Sequence, residues 1–386
     1  MNARHESSAL APAPAPLLRR WRRYFLPSRT LTHYVARLFA TRTLLVLGVI
    51  LALLQMLDLL ARSDDILAVT GNGSAELWRY VGLRLPDLFA RFAPFCALIG
   101  ALIAFAELNQ HSEIIVMKAG GLSPHRILLP FTITATVLAG LHFWVSEWIA
   151  TPARAELAYW QSYDYARDLP PPPDILHAIW LAEGNDLVHI GTISRSGSRV
   201  VLDDVIIYAR DTDGMMKQVT RAAFAWYDRG HWRLFEVRRF DVATLSLDSA
   251  DEAPWSLTVS PERFFNLNLV PEETSLLALA RAITALEHEG VPTGPMRAAF
   301  YHKLAAPLSI LLMPLMAAIA GFGLHRRGRL LARMAIGLAL GFSYFVIDNF
   351  MLAMGKFGVV APALAAFSPL VLFAGVGLAL LFYTEE

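Results

Sequence analysis

A single cysteine, Cys96, is all that 386 residues contain, so no intrachain disulfide can form. Charge is also scarce. Asp, Glu, Lys and Arg make up 17% of the chain against 55% hydrophobic residues, where an ordinary soluble domain carries about 25% charged residues. That composition excludes a plain soluble fold and points to a membrane protein. The formal net charge of +1 gives no global basicity for binding nucleic acid. A Gly-x-x-x-x-Gly-Lys-Ser/Thr phosphate loop is missing, which removes the usual route to ATP. The histidines, among them His111, His125, His142, His302 and His325, show no paired ligand spacing, so no metal site and no cofactor are expected. No nucleophile, base and orienting group can be assembled, and no catalytic residue is assigned.

What the chain does have is long apolar runs. A spanning helix needs roughly 20 mostly apolar residues. Six runs qualify: Thr43–Leu60, Phe92–Leu108, Ile127–Ile149, Leu304–Leu324, Leu331–Met354 and Pro362–Tyr383. Arginines set their orientation. Arg19, Arg20, Arg22, Arg23, Arg29, Arg37 and Arg42 precede the first run, Arg326, Arg327, Arg329 and Arg333 lie between the fourth and fifth, and Lys118 and Arg126 lie between the second and third. The fifth-to-sixth connection has only Lys356. Both termini are therefore expected in the cytoplasm, with the long stretch between spans three and four facing outward. Residues 1–30, with an Ala-Pro repeat at 11–16, read as a disordered cytoplasmic tail. An uncleaved first helix is preferred to a signal peptide because no clear small-residue cleavage site follows.

The outward insert has a soluble composition and the punctuation of β structure. Trp180–His189 is broken by Gly184-Asn185-Asp186; Val200–Tyr208 runs to Asp211-Thr212-Asp213-Gly214; Val219–Tyr227 runs to Asp228-Arg229-Gly230 and on to Trp232–Phe240. Trp255 to Val259 alternates as a half-buried strand should. Strands at this spacing favour a sandwich or jelly-roll. Pro170–Pro173 forms a stiff lead-in. Leu276, Leu279, Ile283 and Leu286 then repeat at helical spacing, with Thr274 or Ser275 as cap and Gly290 as stop. The expected layout is a tail (1–30), transmembrane helices 1–3 (31–150), a β domain (151–270), a linker helix (271–297) and transmembrane helices 4–6 (298–386). The fold class is an α-helical membrane protein with an inserted all-β, jelly-roll-like domain between helices 3 and 4.

Between the second and third spans lies Glu107-Leu108-Asn109-Gln110-His111-Ser112-Glu113-Ile114-Ile115-Val116-Met117-Lys118-Ala119-Gly120-Gly121-Leu122-Ser123. It is too polar to span and too apolar for a plain loop, as a helix lying at the membrane surface would be. Gly120-Gly121 can end that helix, and Ser123-Pro124 reads as the cap and first residue of the third span.

Taken together, three helices, an outward β domain, three more helices and the 112–121 stretch resemble the LptF/LptG permease family. Glu147-Trp148 followed by Pro152, and Tyr344-Phe345-Val346-Ile347-Asp348-Asn349, carry the same resemblance. Leu57-Asp58-Leu59-Leu60 and the Asp348 context lie nearer the LptG branch. Gln55 stands where some family members have a lysine, and Arg62, one turn beyond the first span, is the nearest cation. The resemblance implies a lipopolysaccharide export permease in the bacterial inner membrane with its β domain in the periplasm. It further implies an LptF heterodimer, a cytoplasmic LptB ATPase dimer and LptC as partners, with ATP hydrolysis on the ATPase rather than here. On that footing the segment near 107–120 becomes the ATPase-coupling helix, with Glu113 forming a charge-assisted contact, Ile114, Ile115 and Met117 supplying apolar docking surface, and Lys118 and Gly120 completing the site. An LptF-type subunit, a force-transmitting membrane protein that conducts no lipid and an intramembrane lipid enzyme are the alternatives; the last has no convergent polar set to support it.

Two further constellations are expected to matter. Asp58, Glu147 and Asp348 lie near the outer ends of spans, where acids are costly and usually find partners. With Arg62, Arg84, Arg91 and Lys356 at similar depth they would form an ion-pair belt, some of whose cations (Arg62, Arg84 and Arg91) would meet lipid phosphates. Gly337 and Gly341 make a small-x-x-x-small face in the fifth span, suited to close packing against the partner's first span at a lateral gate.

Overall fold

A computed structural model describes residues 28–168, 175–183, 186–196, 199–211, 214–228, 231–255, 269–288, 291–322 and 330–383. Its elements are α1 (Arg29–Leu67), α2 (Ser74–Gln110), α3 (Glu113–Ala119), α4 (Pro124–Val145), a π-helical turn (Ser146–Ala150), α5 (Thr151–Ser162), strands β1 to β6, α6 (Leu276–His288), α7 (Gly294–Phe322), α8 (Leu330–Lys356) and α9 (Pro362–Tyr383). Six helices among the described residues are long and apolar enough to cross a membrane, by length and composition. Each expected apolar run falls on one of them. The helices overrun the apolar runs because their polar ends stay helical: α1 begins at Arg29, where Ser28 Oγ accepts from the Leu31 amide at 3.2 Å as an N-cap. Residues 323–329, which include the end of the expected fourth span and most of the arginines after it, lie outside the described residues.

The chain divides into two compact units. One runs to Ala61 and adds Val81–Ala150 and the stretch from Gly294 onward; the other is Arg62–Tyr80 with Thr151–Thr293.

The first unit is helical. Its core at one end is aromatic. Phe105 stacks on Phe131 with ring centroids 4.2 Å apart, Phe39 meets Phe131 at 5.3 Å, and Phe322 meets Phe105 edge-on at 5.6 Å. These four rings tie α1, α2, α4 and α7 together, and such pairs add about 0.5–1.5 kcal/mol each beyond burial. Farther along, α1 and α2 touch at Gly100, where a Cβ would lie 2.6 Å from Thr43 Cα. Small residues let helix backbones approach in this way in lipid, where no hydrophobic force pulls helices together.

The second unit holds the insert. Its strands are β1 (Ile175–Glu183), β2 (Asp186–Ser196), β3 (Arg199–Arg210), β4 (Met216–Asp228), β5 (His231–Asp241) and β6 (Ser246–Trp255). The all-β expectation holds. What spacing alone could not indicate is connectivity: the strands pair antiparallel in simple consecutive order, as one six-stranded meander. The turn signals separate successive strands, while 256–259 of the expected Trp255–Val259 strand lies outside the described residues. All five ladders skip one transverse row, formed by Ala178, Gly191, Asp204, Ala223, Glu236 and Asp251. Asp204 and Glu236 have φ of 49° and 52° there, and the pairing resumes in the same register on either side; the register shift lies at Ala209 and Arg210. Val188, Ile190, Leu202, Val205, Ala225, Trp232 and Leu234 bury the inner face.

The amphipathic helix of the insert is α6, with Leu279, Ala282, Ile283 and Leu286 buried. Ser275 is its cap, its Oγ accepting from the Ala278 amide at 3.3 Å, whereas Thr274 bonds back to Val270 O. Gly290, the expected stop, lies outside the described residues.

Residues 62–80, the tip joining α1 and α2, belong to this second unit. There Trp160 and Tyr80 are each 1% exposed, Arg79 sits 4.6 Å over the Trp160 ring and 2.9 Å from Glu156, and Asn72 Nδ2 donates to both Ile66 O and Tyr165 O at 2.9 Å.

Candidate functional site

The polar segment after α2 is not one helix. Residues 107–110 finish α2, His111 and Ser112 turn, with Ser112 in the left-handed region at φ 59°, and a separate seven-residue helix, α3, begins at Glu113. At its far end the Leu122 amide donates to Met117 O at 3.0 Å and the Gly121 amide to Lys118 O at 2.9 Å, a Schellman closure. Gly121, at φ +83°, is the residue that requires glycine; Gly120, at φ −76°, does not. Pro124 opens α4 after an extended Ser123, as the sequence led one to expect.

The face assigned to docking needs correction. Ile114 and Met117 are 2% and 8% exposed and belong to the chain's own helical core, so they cannot form an outer surface. The apolar residues left outside are Ile115 and Val116, at 44% and 68%. Lys118 points its ammonium over the ring of Phe322 at 5.4 Å, a cation–π contact that turns it towards α7. Glu113 is hydrogen-bonded by Tyr34 Oη at 2.9 Å. Neighbouring Glu107 is held by Arg42 in a two-pronged pair, Nε to Oε2 at 2.9 Å and Nη2 to Oε1 at 3.0 Å. Sequence reading missed Tyr34 and used Arg42 only for orientation. Neither carries a local signal, since their partners are 79 and 65 residues away.

The acids expected in a belt do find partners, though not all the expected ones. Arg84 joins Asp58 (3.1 Å) to Asp87 (2.9 Å), and Arg91 approaches Asp87 at 3.4 Å. Asp87, only 2% exposed, is the acid sequence reading overlooked. Its i,i+3 and i,i+4 spacing to Arg84 and Arg91 places all three on one helix face and was a usable signal. Glu147, on the π turn, pairs with Lys303 at 3.8 Å, and Asp348 with His302 at 3.1 Å. Adjacent residues of α7 thus hold the π turn and α8. Arg62 pairs locally, with Asp65 at 3.5 Å, and its side chain is 53% exposed. Gln55 is buried at 7%, with neither amide atom hydrogen-bonded among the described residues.

Gly341 does permit close approach, but inside the chain. A Cβ there would overlap the side chain of Leu98 on α2, and Phe345 meets Phe95 edge-on at 6.0 Å. The glycine expected to face a partner's first span therefore packs on this chain's second span. Gly337 is buried on the same helix.

With this architecture in view, the known proteins it matches are informative. A family model described as lipopolysaccharide export system permease LptF/LptG matches residues 33–383. The chain belongs to the LptF/LptG permease family. It is 26% identical over 365 residues to the lipopolysaccharide export system permease protein LptG of Escherichia coli strain K12, covering 92% of this chain and 98% of that one. It is 25% identical over 315 residues to LptG of Haemophilus influenzae, covering 78% and 84%. The similar proteins bear the LptG name, in keeping with the branch that the Leu57–Leu60 and Asp348 contexts resemble. LptF/LptG proteins are permeases, transport subunits rather than enzymes, and six apolar helices agree with a multi-pass membrane protein of that family.

Proposed function

We propose that this chain is the LptG-type subunit of an ABC transporter that takes lipopolysaccharide from the outer leaflet of the inner membrane to a periplasmic bridge. An LptF-type protein would be its heterodimer partner, LptC a further one, and a separate cytoplasmic LptB ATPase dimer its motor. The arginine bias supports cytoplasmic termini and a periplasmic insert, so that α3 faces the cytoplasm. On this reading residues 1–30, 31–150, 151–270, 271–297 and 298–386 are a tail, helical, β-containing, linker and helical region, the third opening with α5 (Thr151–Ser162) before its strands begin at Ile175. Among the cations, Arg91, whose side chain is 64% exposed, and Arg62 are the candidates for lipid phosphate, while Arg84 serves mainly to hold Asp58 and Asp87.

The observation that carries this reading is the exposed surface of α3. Ile115 and Val116 stand out beside the Glu113 carboxylate on a short helix whose other side is built into the spans. An apolar pair with an adjacent acid suits a motor groove that has a basic or backbone-donor rim. Val116→Asp and Glu113→Ala are each expected to lower ATPase recovered with the purified complex at least about tenfold, the effect of removing an interface anchor. Lipopolysaccharide release from proteoliposomes should fall with it. Full ATPase recovery and full export in both variants would sink the coupling role.

A further inference from the structure

Two side chains from the first turns of α1 reach the segment that carries α3. Tyr34 grips Glu113, the first residue of α3, and Arg42 grips Glu107 near the end of α2. One grip lies before the left-handed Ser112 turn and the other after it. Tyr34 and Arg42 are separated on α1 by just over two helical turns. Between them, Phe39 is fully buried against Phe131. The segment is covalently continuous with α2 and α4, but α1 meets its two acids through side chains alone. A bidentate Arg–carboxylate pair fixes orientation as well as distance, and a second tie beyond the turn resists rotation about the first.

We propose that Tyr34 and Arg42 are positioning residues that make the first span a receiver of motion delivered to α3. The idea rests on the reading of α3 as the ATPase-facing helix. When the motor displaces α3, the two ties carry the displacement sideways into α1 as well as along the chain into α2 and α4. Glu113 therefore has two duties: its carboxylate meets the motor and is held from behind by Tyr34.

The test uses the intact complex in proteoliposomes and reads lipopolysaccharide exported per ATP hydrolysed, together with ATPase recovery. Tyr34→Phe keeps the ring and removes only the hydroxyl; Arg42→Gln keeps length and removes the fork. Each is expected to retain the ATPase and its hydrolysis while export per ATP falls at least about fivefold, the scale of one ordinary net hydrogen bond. The charge swap Arg42→Glu with Glu107→Arg rebuilds the pair in reverse and should restore the ratio to within about twofold. A purely structural role would lower assembly without moving the ratio. Wild-type ratios in Tyr34→Phe and Arg42→Gln overturn the inference, and if Arg42→Gln does not accumulate, a charge swap with an unrestored ratio does the same. Glu113→Ala separates the two levels. Lost ATPase there, with normal ratios in the other variants, sinks only the first-span inference; retained ATPase there sinks the coupling reading beneath it.

Discussion

Asp87→Ala is expected to destabilise the helical unit by about 3–5 kcal/mol, the cost of removing one partner from a buried ion pair. Asp87 is almost fully buried and accepts from Arg84 Nη1 at 2.9 Å and Arg91 Nη2 at 3.4 Å. Arg84 in turn reaches Asp58 through Nε at 3.1 Å and Nη2 at 3.3 Å. Alanine would leave a half-buried guanidinium facing one acid where it had two, in surroundings where an unmatched charge has little water to turn to. Asp87→Asn keeps an acceptor oxygen at the site and should lose less. Arg91→Leu should lower stability by under about 1 kcal/mol because its side chain is 64% exposed and its contact with Asp87 is the longer one, at 3.4 Å, whereas Arg84→Met should approach the alanine variant. Thermal melting of the purified protein in nanodiscs ranks the four. Equal damage from Arg91→Leu and Asp87→Ala would show that Arg84 is not the main partner.

Gly100→Ala should cost at least about 3 kcal/mol, the upper end of the usual penalty for overpacking. The new Cβ would meet Thr43 Oγ1 and lie 2.6 Å from Thr43 Cα and 2.7 Å from its backbone nitrogen. Backbone cannot rotate away as a side chain can, so α1 and α2 would have to separate. That opening reaches Cys96, Ala93, Val46 and Leu47, which form a small buried cluster on the same seam. Lipid-facing helices have no hydrophobic drive to close it again. Gly341→Ala meets the buried side chain of Leu98 rather than backbone, and should cost less, about 1–2 kcal/mol. Gly48→Ala has nothing within 4 Å and should be neutral within about 0.5 kcal/mol. If Gly100→Ala melts like Gly48→Ala, the seam is not tight.

What could be read from the residues follows from which signals are local. Apolar runs long enough to span, and the i, i+3, i+4 repeat of Leu276, Leu279, Ile283 and Leu286, are local facts, and the helices they foretell are present. The punctuated strands of the insert were equally plain, but a meander and a jelly-roll share the same alternation, so strand order was not. The orientation of α3 was hidden for a different reason. Residues 114–117 are all apolar, so a helix of two turns offers no polarity contrast to say which side is buried; only packing against the aromatic core decides that Ile114 and Met117 turn inward. Tyr34 and Arg42 are invisible to any window, because their partners lie in another span. On α8 the close approach is at Gly341, against Leu98 of this chain, and small residues do not say which helix approaches them.

The Trp160, Arg79 and Asn72 contacts bear on how this protein could be rebuilt. A chimera that exchanges the insert with a relative at the apparent sequence borders, near 151 and 293, would bring a foreign partner to Arg79 and leave Asn72 without the Tyr165 carbonyl it was shaped to cap. The transplantable module is discontinuous: it includes residues 62–80 as well as 151–293. A graft carrying both pieces should express and melt as one cooperative body, and a graft of the second piece alone should not, as a comparison of protease-resistant fragments would reveal. Evolution faces the same bookkeeping, since changes at the root of the β domain must be answered in a hairpin some eighty residues earlier in the chain.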